Sequence, residues 1–196
     1  MCKLLLMIMS LTLVTLLSVT FSNANLVTNG GFETGDFTGW TAIAAPSDSD
    51  FGVNTAAPHT GTYAAFFMAS GFTDEGSSDD TIQQTISTNP GGYYTLDFWL
   101  MHDQPGGVND FHALWNGTPV LDLIDAPLFS YTEYSFTVQA AGASSTITFS
   151  GRDVPADTFY LDDVSVTAGA VPEPGTMLLL GSGLLGLWGA RKKFKK

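Results

Sequence analysis

Cysteine is almost absent from this sequence of 196 residues: Cys2, close to the start, is the only one. The body that follows can form no disulfide, hold no metal on thiolates and use no cysteine nucleophile. Positive charge is nearly as scarce. Five of the seven Lys and Arg stand in the last six residues and one is Lys3. Between Asn25 and Ala170, Arg152 alone faces 18 acidic residues, a formal −17. A body of that sign repels phosphodiester backbones, which argues against nucleic acid as a partner. It suits cations, neutral sugars or basic partners. Helical periodicity is missing too, because no stretch of ten or more body residues repeats its apolar positions every 3.6. No fixed-period repeat, nucleophile elbow or zinc-ligand spacing is present. An exported hydrolase is therefore only a remote alternative.

What the body does contain is alternation. Runs at 62–68, 81–87, 93–101, 110–115, 119–124, 131–138, 145–150 and 158–167 mix apolar and polar residues with a period near two, separated by turn residues such as Asn89-Pro90-Gly91-Gly92 and Asn116-Gly117. In the third run Tyr94, Leu96, Phe98 and Leu100 share one face, and Asp97 and Trp99 share the other. Eight or so short strands predict an all-β chain, a β-sandwich of the jelly-roll kind over residues 25–169. The aromatic, Val, Ile and Leu content is enough for a core, so the acidity does not imply disorder.

The two ends differ from this body. Lys3 precedes an apolar stretch from Leu4 to about Val19, and Ser22-Asn23-Ala24 places small residues at the positions a signal peptidase reads. Residues 1–24 are thus expected to be a secretory signal peptide. At the other end Pro172-Glu173-Pro174 precedes an apolar run and the cluster Arg191-Lys192-Lys193. Met177–Ala190 as a helix would cover roughly 21 Å, and with Gly175 and snorkelling lysines (a membrane helix over about 175–190) it could just span a ~30 Å hydrocarbon layer. Basic residues would hold the tail in the cytoplasm. Gly181-Ser182-Gly183-Leu184-Leu185-Gly186 matches G-x-G-x-x-G. It lacks the preceding strand and following acid of a dinucleotide site, so the glycines read as part of a membrane helix.

This order of triplet, apolar run and basic cluster resembles the PEP-CTERM sorting signal of Gram-negative bacteria, here residues 171–196. The resemblance implies an exosortase that cleaves near Pro172-Glu173-Pro174, transient residence in the inner membrane, and delivery to the cell surface or to an extracellular polysaccharide matrix, as in a biofilm. The body carries a second resemblance. Asn25-Leu26-Val27-Thr28-Asn29-Gly30-Gly31-Phe32-Glu33-Thr34-Gly35 with Trp40 at its opening, and Tyr160-Leu161-Asp162-Asp163-Val164-Ser165-Val166 at its close, are similar to galactose-binding-like jelly rolls and to carbohydrate-binding modules of the family 4/9/22 type. That resemblance implies a first segment lying beside the last strand and a structural calcium held by Glu33 and Asp162, with carbonyl help from Gly31 and the loop near His59 to Tyr63. The alternative is that Glu33 caps backbone amides and the aspartates are solvated. Strand alternation sends Asp162 and Asp163 to opposite faces, so both are not expected on one ion.

Other candidates are weaker. Asp48, Asp50 and Asn54 lack the glycine and distal Glu of an EF-hand loop and read as a solvated acidic loop, as does Asp74-Glu75…Asp79-Asp80. His102-Asp103 and Asp110…His112 could face each other across a hairpin as a metal or general-base site. Trp99 and Trp115 could stack on sugar rings, or fill the core. The expected function is a non-catalytic exported surface or matrix protein that binds carbohydrate, the alternative being a structural or adhesive protein that binds other proteins.

Overall fold

The structure is a computed structural model, and it describes residues 24–46, 49–69, 79–104, 108–154 and 158–169. The expected signal peptide (apart from Ala24), Asp48, Asp74-Glu75, Pro172-Glu173-Pro174, the 175–190 segment and Arg191-Lys192-Lys193 lie outside these residues.

Ten strands are found among the described residues: β1 (Thr41–Ile43), β2 (Ser49–Asn54), β3 (Ala64–Ala69), β4 (Asp80–Ser87), β5 (Tyr93–His102), β6 (Val108–Trp115), β7 (Thr118–Ile124), β8 (Phe129–Gln139), β9 (Ser144–Val154) and β10 (Phe159–Ala168). They form two five-stranded antiparallel sheets, ordered β1-β4-β9-β6-β7 and β2-β3-β10-β5-β8. From β3 onward the chain mostly alternates between the sheets, as a jelly roll requires. Eight of the strands coincide with the alternating runs. The two that alternation does not reveal are β1, three exposed residues, and β2, half-buried along its whole length. Neither has a buried face to leave a period in the sequence.

Alternation sets the core. Along β5, Tyr94, Leu96, Phe98 and Leu100 are buried, and the residues between them are not. Phe98 of the second sheet meets Phe149 of the first edge to face, with centroids 5.0 Å apart, and Phe67 meets Phe111 in the same way at 5.5 Å. Each such ring contributes about 2–3 kcal/mol by leaving water, and the edge-to-face geometry adds roughly 1 kcal/mol. Asn116 and Gly117 join β6 to β7 with φ of 50° and 77°, and Trp115 pairs with Thr118. This is the two-residue turn with both φ positive that matches strand twist, and it explains why Asn-Gly stands there.

The opening segment lies along β10, as the resemblance implied. The Leu26 amide donates to the Val166 carbonyl (2.9 Å), the Val166 amide to Asn25 Oδ1 (3.0 Å) and the Val164 amide to the Gly30 carbonyl (2.9 Å). A side chain on Gly30 would collide with the Val164 carbonyl, so this approach needs glycine. Trp40 stacks on buried Phe32 at 5.8 Å and donates its indole N–H to the Asn29 carbonyl, which fixes the loop that presents Glu33.

Candidate functional site

Three groups of polar side chains stand out: a clasp around β10, a buried pair between the sheets, and a charged cluster on the outer face of the first sheet.

The clasp forms because β10 is irregular. Its register against β5 shifts between Asp162 and Ser165, and Asp163 has φ of 49°. This bulge overturns the expectation that Asp162 and Asp163 point to opposite faces. Both carboxylates reach the same loop. Asp162 Oδ2 accepts from the His59 and Thr60 amides at 2.8 and 3.1 Å. Asp163 accepts from the Thr60 hydroxyl at 2.7 Å and lies 2.7 Å from His59 Nδ1. Glu33 accepts from the Thr62 and Tyr63 amides at 2.9 and 3.0 Å, so it caps backbone as the alternative reading had it. Its carboxylate occupies the place a side chain on Gly61 would take, and Gly61 has φ of 67°. Asp162 is not solvated but fully buried, whereas Asp163 is half-buried. Burial pushes the Asp162 carboxyl up to about 6, against the pull of the amides it accepts from. Beside Gly31, Asp163 Oδ1 and Asp162 Oδ1 stand 3.6 and 3.7 Å from where a Cβ would be, so the glycine leaves a space edged by two carboxylate oxygens.

Trp99 lies over this clasp, and His59 is stacked on it with centroids 3.9 Å apart. Tyr131 packs on His59 and donates its hydroxyl to the Ala57 carbonyl at 2.6 Å. One indole face is therefore already occupied. Trp115 is 5% exposed, packs on Tyr94 and donates its indole N–H to the Gln139 carbonyl. A ring enclosed in this way has no face left for a sugar, so of the two expected uses it serves the core.

The expected hairpin pairings are replaced by others. His102-Asp103 does not face Asp110 and His112, because β5 and β6 lie in different sheets, and Asp103 Oδ1 accepts the Thr158 amide. His102 is fully buried, with Nε2 2.7 Å from Asp153 Oδ2 and Nδ1 3.1 Å from the Pro127 carbonyl. Asp80 is buried rather than solvated, accepting from the Ala45 amide, the Ser49 hydroxyl and the Asp50 amide, and it ties β1 and β2 to β4.

The charged cluster gathers four parts of the chain. Asp79 precedes β4, Asp110 and His112 share a face of β6, Asp122 is opposite His112 on β7, and Arg152 is opposite Asp110 on β9. Arg152 Nε donates to Asp110 Oδ2 at 2.8 Å and lies 3.8 Å from Asp79 Oδ1. His112 Nδ1 is 2.7 Å from Asp122 Oδ1, and Nε2 is 3.7 Å from Asp79 Oδ2. Burial, then the neighbouring Asp110 charge, push the Asp79 carboxyl up to about 6. Asp79, Asp110 and His112 each offer a ligand atom within 4.8 Å of the others, and among the described residues no other set of three does so. The signal was partly legible. Asp110 and His112 two apart on a strand, and the lone Arg152, were visible, but Asp79 and Asp122 had no distinguishing neighbours.

The fold has known counterparts. The chain is similar to the carbohydrate-binding module TmCBM61, solved with β-1,4-galactotriose: TM-score 0.57, 21% identity, 74% of this chain and 99% of that one. It is similar to the CBM22-1 xylan-binding domain of Xyn10C from Paenibacillus barcinonensis at TM-score 0.50 and 12% identity, over 76% and 97% of the two chains. It also resembles part of the enzymatically active domain of tailspike protein 4 of bacteriophage CBA120, at TM-score 0.51 and 16% identity, over 74% of this chain and 21% of that one. No curated protein matches the sequence. At these identities the likeness establishes the fold: a jelly roll of the kind carbohydrate-binding modules use. Residues 170–193 match the PEP-CTERM protein-sorting motif. The chain thus joins a carbohydrate-binding-module-like sandwich to a PEP-CTERM sorting signal.

Proposed function

We propose that this is an exported, non-catalytic surface protein that binds saccharide on the outer face of its first sheet. The observation that carries the reading is the make-up of that face. Thr81 and Gln83 on β4, Thr148 and Arg152 on β9, and Asp110 and His112 on β6 are polar or charged residues alternating with buried ones, and most are half-buried. Hydroxyl, amide, carboxylate and guanidinium groups at partial burial suit a polyhydroxylated ligand, which needs many directional hydrogen bonds. The reading takes further support from the fold shared with a module solved with an oligosaccharide.

The C-terminal motif supplies the route. An exosortase acts near Pro172-Glu173-Pro174, the apolar segment holds the chain in the inner membrane meanwhile, and the product reaches the surface or polysaccharide matrix of a Gram-negative cell. The clasp takes a structural calcium. Its donors would be hard oxygens, Glu33 and Asp162 with the Gly31 carbonyl; the space beside Gly31 is edged by the Asp162 and Asp163 Oδ1 atoms. Bound there, the ion would offset the carboxylate charge that gathers where the two ends of the sandwich meet.

Glycan-array binding with the purified protein tests the saccharide reading. Saturable binding to at least one polysaccharide is expected. It should be lost in Gln83→Ala combined with Thr148→Val and kept in Trp99→Ala. Absence of binding to any glycan, with capture of a protein partner instead, favours the adhesive alternative. Loss in Trp99→Ala alone would move the site to the second sheet.

A further inference from the structure

We propose that Asp79, Asp110 and His112 form a binding site for a divalent transition-metal ion of the zinc class, on the outer face of the first sheet. Three features point to an ion. The first is the histidine tautomer. Asp122 Oδ1 lies 2.7 Å from His112 Nδ1, so in the tautomer that keeps the proton on that nitrogen the Nε2 lone pair is free for a cation. This carboxylate–histidine arrangement is the one that orients metal-ligating imidazoles. The second is what Nε2 faces. Asp79 Oδ2 lies 3.7 Å away, too far for a hydrogen bond, and both atoms are electron-pair donors. Two ligands each about 2.1 Å from a common ion stand at most about 4.2 Å apart, so the gap fits a shared cation.

The third is Asp110. It is 9% exposed, and while Oδ2 accepts from Arg152, the buried Oδ1 has no hydrogen-bond partner among the described residues. With both carboxylates ionised that buried oxygen is left unsatisfied at a cost; a proton on Asp79, which then hydrogen-bonds Asp110, or a cation in its place satisfies it. Charge agrees: the three carboxylates of Asp79, Asp110 and Asp122 outnumber the single guanidinium of Arg152 around the imidazole. One imidazole and two carboxylates favour zinc and its first-row relatives over calcium, which prefers oxygen alone.

The test is a calorimetric titration of zinc chloride into the untagged, EDTA-stripped and desalted chain, followed by 15N spectra of its histidines. No saccharide enters the experiment, so its outcome is separate from the saccharide reading. One ion per chain is expected, with the His112 Nε2 resonance shifted on binding. His112→Gln and Asp79→Asn should abolish that event. Asp122→Asn should weaken it tenfold to a hundredfold, the usual effect of removing the partner of a ligating histidine. His59→Gln and Glu33→Ala, which alter the clasp, should leave it unchanged. Absence of saturable uptake, an unmoved His112 Nε2 resonance in the unsubstituted protein, or uptake unaffected by His112→Gln overturns the assignment.

Discussion

Replacing Asp153 by alanine removes one half of a fully buried, hydrogen-bonded His–Asp pair. Neither side chain of the His102–Asp153 pair has solvent exposure, and Nε2 stands 2.7 Å from Oδ2. His102 also has Nδ1 3.1 Å from the Pro127 carbonyl, which can only accept. With a carboxylate on the other nitrogen, the ring is held between two acceptors, so loss of Asp153 leaves a buried polar ring stranded. Breaking a buried pair from one side costs about 3–5 kcal/mol, a large part of the roughly 5–15 kcal/mol a domain has. At about 3 °C per kcal/mol for a body of this size, melting should fall by roughly 10–15 °C. Replacing both partners should cost much less than the two single losses together. His102→Phe keeps the stack on Phe159, now 4.5 Å between centroids at 19°, and Asp153→Leu fills the partner's volume. Urea denaturation followed by tryptophan fluorescence, with thermal melts by circular dichroism, on the unsubstituted chain, Asp153→Leu, His102→Phe and the double variant gives all four corners of the cycle, with Asp153→Ala measured beside them. A cost below about 1 kcal/mol for Asp153→Ala, or single effects that simply add in the double variant, would refute the reasoning.

Adding calcium to the EDTA-stripped protein should raise the melting temperature of the unsubstituted chain and change Glu33→Ala little; equal responses would count against the clasp ion. Trp115→Ala should cost about 3–5 kcal/mol, as core indoles do, and Trp99→Ala clearly less, measured by the same urea titrations. Asp79 gives a pH dependence whose sign is fixed by its raised carboxyl. The folded state holds that proton more tightly than the unfolded chain, so in metal-free protein the stability it contributes is present below about pH 4 and lost as pH rises to about 6. Asp79→Asn should flatten that part of the stability profile, and an unchanged profile would disprove the assignment.

The sorting motif was legible in the order of residues, and so were the strand class, the paired face of β5 and the Asn116-Gly117 turn. The last three depend on neighbours two to a few positions apart, and local sterics and the pleat convert that order directly into structure. The union of the Asn29–Gly35 segment with β10 was legible only through resemblance. Everything that combined distant strands was decided by the tertiary structure. A period of two tells which residues share a face but not which strand lies alongside, so nothing local joined Asp79 to His112 or His102 to Asp153. Nor could alternation foresee the bulge at Asp163, which turns two neighbouring carboxylates onto one loop. Burial of Trp115, and the cover that His59 lays over Trp99, follow from how the two sheets and the 59–63 loop pack.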